Sequence, residues 1–349
     1  MKVVHVTYGF GLGGIETMLH NIANEQVKLG HEIHIVVIND IVNEELKETL
    51  DARIMFHCLK RKVGSKNPSF IITLNSLLYN LRPNVIHLHY SSIARYILLG
   101  VLKNKLCVTQ HDVCNEQNSK YLHLVKKIFS ISNVVKEDVK NWTGLDSIVV
   151  LNGINSDLIK CSNGERHGTT FRIVQVSRLM HEKKGQHILI GAVAELIKKG
   201  YTKISLDFIG DGESIGFLKD MVNKLQVNGH VHFLGSKDQS YIFEHLCDYD
   251  LYVQPSIYEG FGLTVAEGMA AKVPVLVSEN QGPLEIIGYG KYGYSFKNKD
   301  CGDCASKIDL FLKGRNDKDM IGLAYERVRT LYDVKNTSRQ YLDLYGMYK

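Results

Sequence analysis

Short β-branched runs alternate along the whole chain with longer stretches in which apolar residues recur every three or four positions. In the first half, the runs at 3–8, 32–38, 53–57, 84–89, 105–110, 128–132 and 147–151 predict strands. The clearest helix between them is 15–29, with Ile15, Met18, Leu19, Ile22 and Ala23 on one face. Another apolar helix is expected over 70–81. Such alternation builds mostly parallel sheets covered by helices on both faces.

The rhythm breaks at 161–170, which is polar, carries glycine and has no periodicity, as a linker would. It then restarts with strands at 171–176, 204–209, 230–234, 251–253 and 273–277 and helices near 184–199, 214–226 and 263–271. The expected fold class is therefore α/β. Two doubly wound Rossmann-like domains, 1–160 and 161–334, would face one another across a cleft at the C-terminal ends of their strands, where open α/β sheets bind ligands. A closing helix over 335–348, within the terminal segment 335–349, could pack on either domain.

Composition narrows the class. At 349 residues with 44% hydrophobic content, the chain can bury two ordinary cores. Its longest apolar runs fall short of the roughly 18 residues of a spanning helix. The N-terminus begins directly on a strand-like run without the apolar core of a secretory signal, which suggests a cytoplasmic protein. The seven cysteines show no disulfide-framework spacing. Cys301 and Cys304 form a lone C-x-x-C, expected to be an inconsequential loop pair and not a zinc site. Of the net charge of +5, residues 1–150 carry +4, from 17 Lys and Arg against 13 Asp and Glu. That bias suits anionic head groups or a pyrophosphate, or merely scattered surface lysines. Nucleic acid is not favoured, because no basic helix, aromatic platform or zinc module accompanies the charge.

Two glycine-bearing loops carry the candidate chemistry. The first, Gly9-Phe10-Gly11-Leu12-Gly13-Gly14, contains G-x-G-x-x-G between a strand and a helix. Unpaired N–H groups and the dipole at that helix start favour an anion. With Asp40 after the second strand, the loop could hold a dinucleotide and make the chain an oxidoreductase. It could equally be a tight strand-to-helix turn. The second loop, Glu259-Gly-Phe-Gly262-Leu263-Thr264, precedes a helix whose first N–H groups, from Gly262, Leu263 and Thr264, form another anion nest, with Glu267 in the first turns. Two carboxylates beside a phosphate site make sense where the ligand also brings hydroxyl donors, as a nucleotide sugar does. Singly, Glu267 could serve only its own helix dipole and Glu259 could be a solvated loop residue. Arg178 and Lys184, on the loop after the strand at 171–176, add a bidentate grip and a point charge for phosphate.

These motifs together resemble the retaining glycosyltransferases of family 4, the glycosyl transferases group 1 with the GT-B fold. The resemblance covers nearly the whole chain. Its E-x7-E signature reads Glu259-GFGLTVA-Glu267. Supporting matches are "GLGGIET" at 11–17, "SNVVKEDV" at 132–139, "VLNGIN" at 150–155, "VSRL" with "KKGQ" at 176–186, "FIGDGE" at 208–213 and "FLG" at 233–235. Asn155 stands where the family usually has Asp, and "EKKG" leaves either Lys183 or Lys184 as the functional lysine, of which Lys184 adjoins Gly185.

The resemblance implies roles. Gly13 and Gly14 would approach the donor phosphate and the acceptor, Arg178 and Lys184 would neutralise the departing nucleoside diphosphate, and Glu259 and Glu267 would accept from sugar and ribose hydroxyls. His111, in "VTQHDV", corresponds to a histidine the family places by the donor sugar, although by itself it reads as a strand-end residue. His87 and His89 read as core or strand-end residues. The implied activity is transfer of a hexose or N-acetylhexosamine, with retention and without a metal or cofactor, from a nucleotide donor, UDP-linked by expectation, to a growing glycan. The products in view are lipid-linked polysaccharide or O-antigen intermediates. Lys60, Arg61, Lys62 and Lys66, placed in one loop before the 70–81 helix, could touch an anionic membrane surface. A nucleotide-sugar epimerase of the same fold is the alternative, with the oxidoreductase behind it.

Overall fold

The computed structural model describes residues 1–11, 13–163, 168–279, 281–315 and 317–346. The chain divides into two compact units, Met1–Ile154 with Tyr332–Lys349, and Asn155–Leu331. The first crossing thus precedes the polar 161–170 stretch. Its position follows from backbone bonds that tie the intervening residues into the second unit, Lys160 N–H to Phe243 O at 2.9 Å and Ser162 N–H to Ala271 O at 2.8 Å. Residues 164–167 of that stretch lie outside the described residues.

The first unit is a seven-stranded parallel sheet of β1 (Lys2–Thr7), β2 (Glu32–Asn39), β3 (Met55–Arg61), β4 (Val85–Leu88), β5 (Leu106–Gln110), β6 (Lys127–Ser130) and β7 (Ile148–Val149). Its order is β3-β2-β1-β4-β5-β6-β7, so the winding reverses between β1 and β4. Helices α1 (Gly14–Lys28), α2 (Ser69–Leu81) and α3 (Asn133–Thr143) connect its strands.

The second unit is a six-stranded parallel sheet of β8 (Phe171–Val176), β9 (Ile204–Ile209), β10 (Val231–Phe233), β11 (Leu251–Gln254), β12 (Val275–Ser278) and β13 (Tyr294–Phe296). The order is β10-β9-β8-β11-β12-β13, with the reversal between β8 and β11. Its helices include α4 (Gln186–Lys198), α5 (Ile215–Lys224), α6 (Leu263–Ala270), α7 (Cys301–Leu312) and α8 (Lys318–Leu331). Strands buried on both faces read as near-continuous apolar runs, which is why most of them show in the sequence.

The closing helix α9 (Val334–Gly346) belongs to the first unit and packs on α1. The remainder of the predicted 335–348 span, 347 and 348, lies outside the described residues. Gly153 makes the return close: a Cβ there would stand 2.5 Å from the Val334 backbone. Inside the unit, Tyr345 Oη lies 2.5 Å from His87 Nδ1 and Tyr341 Oη 2.9 Å from Thr109 Oγ1, so the helix is pinned by polar contacts beneath its apolar face.

Two expectations are corrected. Cys301 and Cys304 are in the first turn of α7 and not in a loop, because Asp300 caps that helix by accepting from Asp303 N–H at 2.9 Å. Cys304, Ala305, Ile308 and Phe311 then recur at helical spacing on its buried face. Lys60 and Arg61 end β3 and do not share one loop with Lys62 and Lys66. Arg61 is also tied down, donating to Asn39 Oδ1 at 3.0 Å and Ser65 O at 2.7 Å and lying 4.9 Å from the centre of the Phe70 ring.

Candidate active site

In the second unit, the loops after β8 and β11 leave the sheet at its reversal point, where a doubly wound fold places its ligands. Glycine brings them together. Gly185 ends the short helix His181–Lys184 with φ +69, and a Cβ on it would stand 1.9 Å from Pro255 O. Only glycine satisfies both the left-handed backbone and that approach. Ile257 N–H, donating to Lys183 O at 2.8 Å, locks the same junction. Lys184 thereby reaches Glu259, Nζ to Oε1 2.6 Å, whereas Lys183 Nζ lies 5.5 Å from the centre of the Tyr258 ring.

Glu259 sits in a built cradle. Ser256 Oγ donates to its Oε2 at 2.8 Å and Gln254 Nε2 at 3.2 Å. Burial would raise its carboxyl, but the adjacent Lys184 ammonium and these donors hold it below the ordinary value, so it stays a carboxylate. Behind it, Tyr252 Oη lies 2.7 Å from Gln254 Oε1 and 2.6 Å from Thr264 Oγ1. The single Tyr252 proton goes to the amide oxygen, and the Thr264 hydroxyl donates to Tyr252. Burial pushes the Tyr252 phenol well up, keeping it protonated.

Helix α6 starts at Gly262, whose φ is +106, with no side chain capping it. The first intrahelical bonds to its carbonyl come from Val265 and Ala266, leaving the N–H groups of Gly262, Leu263 and Thr264 without an intrahelical acceptor, the arrangement that suits an anion. Glu267, one turn on, is buried. Burial pushes its carboxyl up to about 7, partly offset by a hydrogen bond with Gln239.

Arg178 has a different setting. Gly210, at φ +135, lets the loop after β9 lie on the loop after β8; a Cβ there would stand 2.1 Å from Ser177 O. That contact brings Glu213 against Arg178, Nη2 to Oε2 3.1 Å, in an exposed pair. Screening by water makes such a pair cheap to open, so the guanidinium is available to an anion. The "FIGDGE" and "FLG" matches are joined here too, Gly210 N–H donating to Gly235 O at 2.9 Å.

In the first unit, Gly9 and Gly11 flank a buried Phe10 that bridges Val42, with Phe10 N–H donating to Ile41 O at 2.8 Å. This end of the loop is a packing clamp; Leu12 lies outside the described residues. Gly13 is the extended residue before α1. The space beside it is filled by Glu16, whose Oε2 would stand 2.5 Å from a Cβ on Gly13. Burial raises the Glu16 carboxyl. Glu16 is a residue that sequence reasoning passed over, and its signal was an acid in the first turn directly after Gly13-Gly14. Gln254, Ser256 and Tyr252 were passed over too, because only the β11 geometry shows that they hold Glu259 and Thr264. His111 is half-buried after β5, its Nε2 3.1 Å from His89 Nδ1. Asp40, the acid of the dinucleotide reading, is exposed at the end of β2.

Residues 162–327 match the family described as Glycosyl transferases group 1, and residues 12–158 match Glycosyltransferase Family 4. Among solved structures, Anabaena Alr3699/HepE in complex with UDP and glucose shares the fold at a TM-score of 0.86, with 18% identity over 99% of both chains. The architecture is thus GT-B, two parallel-sheet Rossmann-like domains. The chain belongs to the group 1 glycosyltransferase family. A Staphylococcus aureus (strain COL) poly(ribitol-phosphate) alpha-N-acetylglucosaminyltransferase is 27% identical over 186 residues, 53% of this chain and 36% of that protein. An uncharacterized glycosyltransferase of Methanocaldococcus jannaschii, MJ1178, is 25% identical over 315 residues, 85% of this chain and 84% of that one. Matches to the first curated relatives span about half of their lengths, 49%, 42% and 57%.

Proposed function

We propose that this chain transfers a sugar from a UDP-linked donor to a growing glycan, with retention of anomeric configuration and without a metal. The observation that carries the reading is the Lys184–Glu259 pair at 2.6 Å, in the same unit as the uncapped N-terminus of α6. A cation and helix N–H groups suit a departing diphosphate, and fixed charges of this kind lower a barrier without reorganising. Glu259 and Glu267 accept from hydroxyls of the donor. Arg178 exchanges Glu213 for phosphate. Gly13, Gly14 and His111 take the roles the family resemblance implies. In the reaction, the bond from the anomeric carbon to the phosphate oxygen breaks, the acceptor oxygen bonds on the same face, and its proton passes to the departing phosphate. Support for UDP and a glycan comes from relatives: one solved structure is described with UDP and glucose, and another relative is named for N-acetylglucosaminyl transfer.

The direct test is thermal shift of the purified protein against UDP, GDP, ADP, NAD and NADP, each with EDTA and with a divalent metal. A ligand that binds the native state raises the midpoint by mass action. The expected result is a UDP shift insensitive to EDTA. A shift with NAD or NADP alone would overturn the proposal.

The acceptor in this reading is lipid-linked, reached by contact of the first unit with an anionic membrane. No helix among the described residues is long and apolar enough to cross one. Supporting the contact, Ile72, Tyr79, Leu98 and Val101 are exposed, and Asn75 holds the 96–99 segment beside α2 by donating to Tyr96 O at 2.7 Å and accepting from Leu98 N–H at 2.8 Å. Lys60, Lys62 and Lys66 are exposed before that helix. Retention on phosphatidylserine vesicles at low salt is expected, and failure to be retained there would remove this part.

A further inference from the structure

One face of the first sheet carries a ladder of polar residues where packing would favour apolar ones. His5 on β1 pairs in register with His87 on β4. His89 lies two residues beyond His87, and His111 two beyond Thr109 of β5, so the two-residue strand period keeps them on one face. His5, His87, His89 and Gln26 are buried. Three of the rings form a continuous hydrogen-bonded series. His5 Nε2 is 2.9 Å from Gln26 Oε1, His5 Nδ1 is 3.1 Å from His89 Nε2, and His89 Nδ1 is 3.1 Å from His111 Nε2.

We propose that Gln26, His5 and His89 are positioning residues that fix His111 as a hydrogen-bond acceptor at Nδ1, the atom that receives a hydroxyl of the donor sugar. The sugar contact rests on the transferase reading above; the positioning series does not.

A neutral imidazole has one donor nitrogen and one acceptor nitrogen. Burial holds all three rings neutral, lowering His5 to about 4, His89 well below its ordinary value and His111 to about 3. No carboxylate hydrogen-bonds to any of them among the described residues. The polarity of one ring therefore dictates the next. Gln26 turns its carbonyl to His5 and leaves its own Nε2 without a partner among the described residues. In that orientation His5 donates from Nε2 and accepts at Nδ1, and turning the amide over would reverse the whole series. His89 must then donate from Nε2 and accept at Nδ1, and His111 donates from Nε2, which leaves a lone pair on its Nδ1. Reversing one ring alone would set two protons or two lone pairs face to face in a buried site, which costs more than a lost surface hydrogen bond.

His5, His87 and His89 can also gather ligand atoms within 4.8 Å of one another, as a metal site would. That arrangement would require His5 and His89 to surrender the proton between them. It would also pull His87 from Tyr345 or Thr109, which lie 2.5 and 2.7 Å from its two ring nitrogens.

Nitrogen-resolved NMR of the imidazoles in the full chain tests the series. His111 of the wild type is expected to carry its proton on Nε2 with Nδ1 bare, and UDP-glucose, but not UDP, is expected to shift the Nδ1 signal. Gln26→Met should leave His111 as a mixture of tautomers and shrink the sugar-dependent shift. His89→Phe, which cuts the series in the middle, should do the same if Gln26→Met does not fold. A wild-type proton on Nδ1, a His111 tautomer unmoved by both variants, or stoichiometric zinc bound by His5 and His89 would overturn the assignment. Identical His111 shifts with UDP and UDP-glucose, with the tautomer response intact, would remove the sugar contact alone and leave the positioning series standing.

Discussion

Lys184 Nζ stands 2.6 Å from Glu259 Oε1, two residues 75 positions apart that meet because Gly185 lies against the Pro255 carbonyl. The side chains are 19% and 15% exposed, so either charge alone would be poorly solvated. Lys184→Met is expected to cost about 2–3 kcal/mol, a little below the loss seen when a fully buried pair is broken. Pairing it with Glu259→Met should recover much of that loss, because no lone charge remains. Urea titration measures both, and a double variant as unstable as the sum of the singles would show that the two groups are not coupled. The sign with pH follows from the lowered Glu259 carboxyl. A carboxylate favoured in the fold contributes stability above its unfolded value of about 4.3, and that contribution is lost as pH falls through the folded value.

Glu267 runs the other way. Its carboxyl is raised to about 7 by burial. Between its unfolded value of about 4.3 and 7 the native chain binds more protons than the unfolded one, so stability declines as pH rises through that window. Glu267→Gln should abolish the slope and leave the variant more stable than wild type at pH 8, by up to ~3 kcal/mol. In the proposed complex a ribose hydroxyl favours the carboxylate form. UDP binding near pH 6.5 should then release a proton, read by calorimetry in buffers of different ionisation enthalpy. Uptake, or no exchange, would place Glu267 away from the nucleotide.

Gly185 and Gly200 separate backbone strain from crowding. Both have positive φ, +69 and +98, but a Cβ at Gly200 meets nothing within 4 Å. Gly200→Ala should cost about 1 kcal/mol for the left-handed conformation alone. Gly185→Ala adds a clash with the Pro255 backbone and should cost at least twice as much, with loss of the UDP-dependent thermal shift. Equal costs in the two variants would mean that the Pro255 contact does not hold the loop.

Most strands were legible as short β-branched runs even where polar residues stand inside them; Phe171–Val176, with Arg172 and Gln175, and Ile204–Ile209, with Ser205 and Asp207, have the bounds that the sequence predicts. Tyr294–Phe296 was not, since three residues with Ser295 in the middle look like any loop. The expected 184–199 helix runs over Gln186–Lys198; Gly185 in the left-handed region separates it from the short helix His181–Lys184, a break to which periodicity is blind. The loop that holds Glu259 and the helix start before Glu267 were legible through residue type and spacing. Strand register was not, and the ladder from His5 to His111 exists only because β1, β4 and β5 lie side by side. Read singly, each of those histidines resembles a core residue.

The same register sets the last prediction. His87 is fully buried, and both its ring nitrogens have partners, Tyr345 Oη at Nδ1 and Thr109 Oγ1 at Nε2. Tyr345→Phe removes the only group bonded to Nδ1 among the described residues and leaves that nitrogen unsatisfied in the core, at about 1–3 kcal/mol. Tyr341→Phe takes a hydroxyl from Thr109, which keeps His87 as a partner, so the cost should fall to about 0.5–1.5 kcal/mol. Both rings retain their apolar packing, so the difference between the variants isolates the hydrogen bonds. Amide exchange along α9 should rise more in Tyr345→Phe, since that variant loosens the point where the closing helix is pinned to β4. Equal destabilisation, with equal exchange, would mean that the helix is held by apolar contact alone and that His87 does not anchor it.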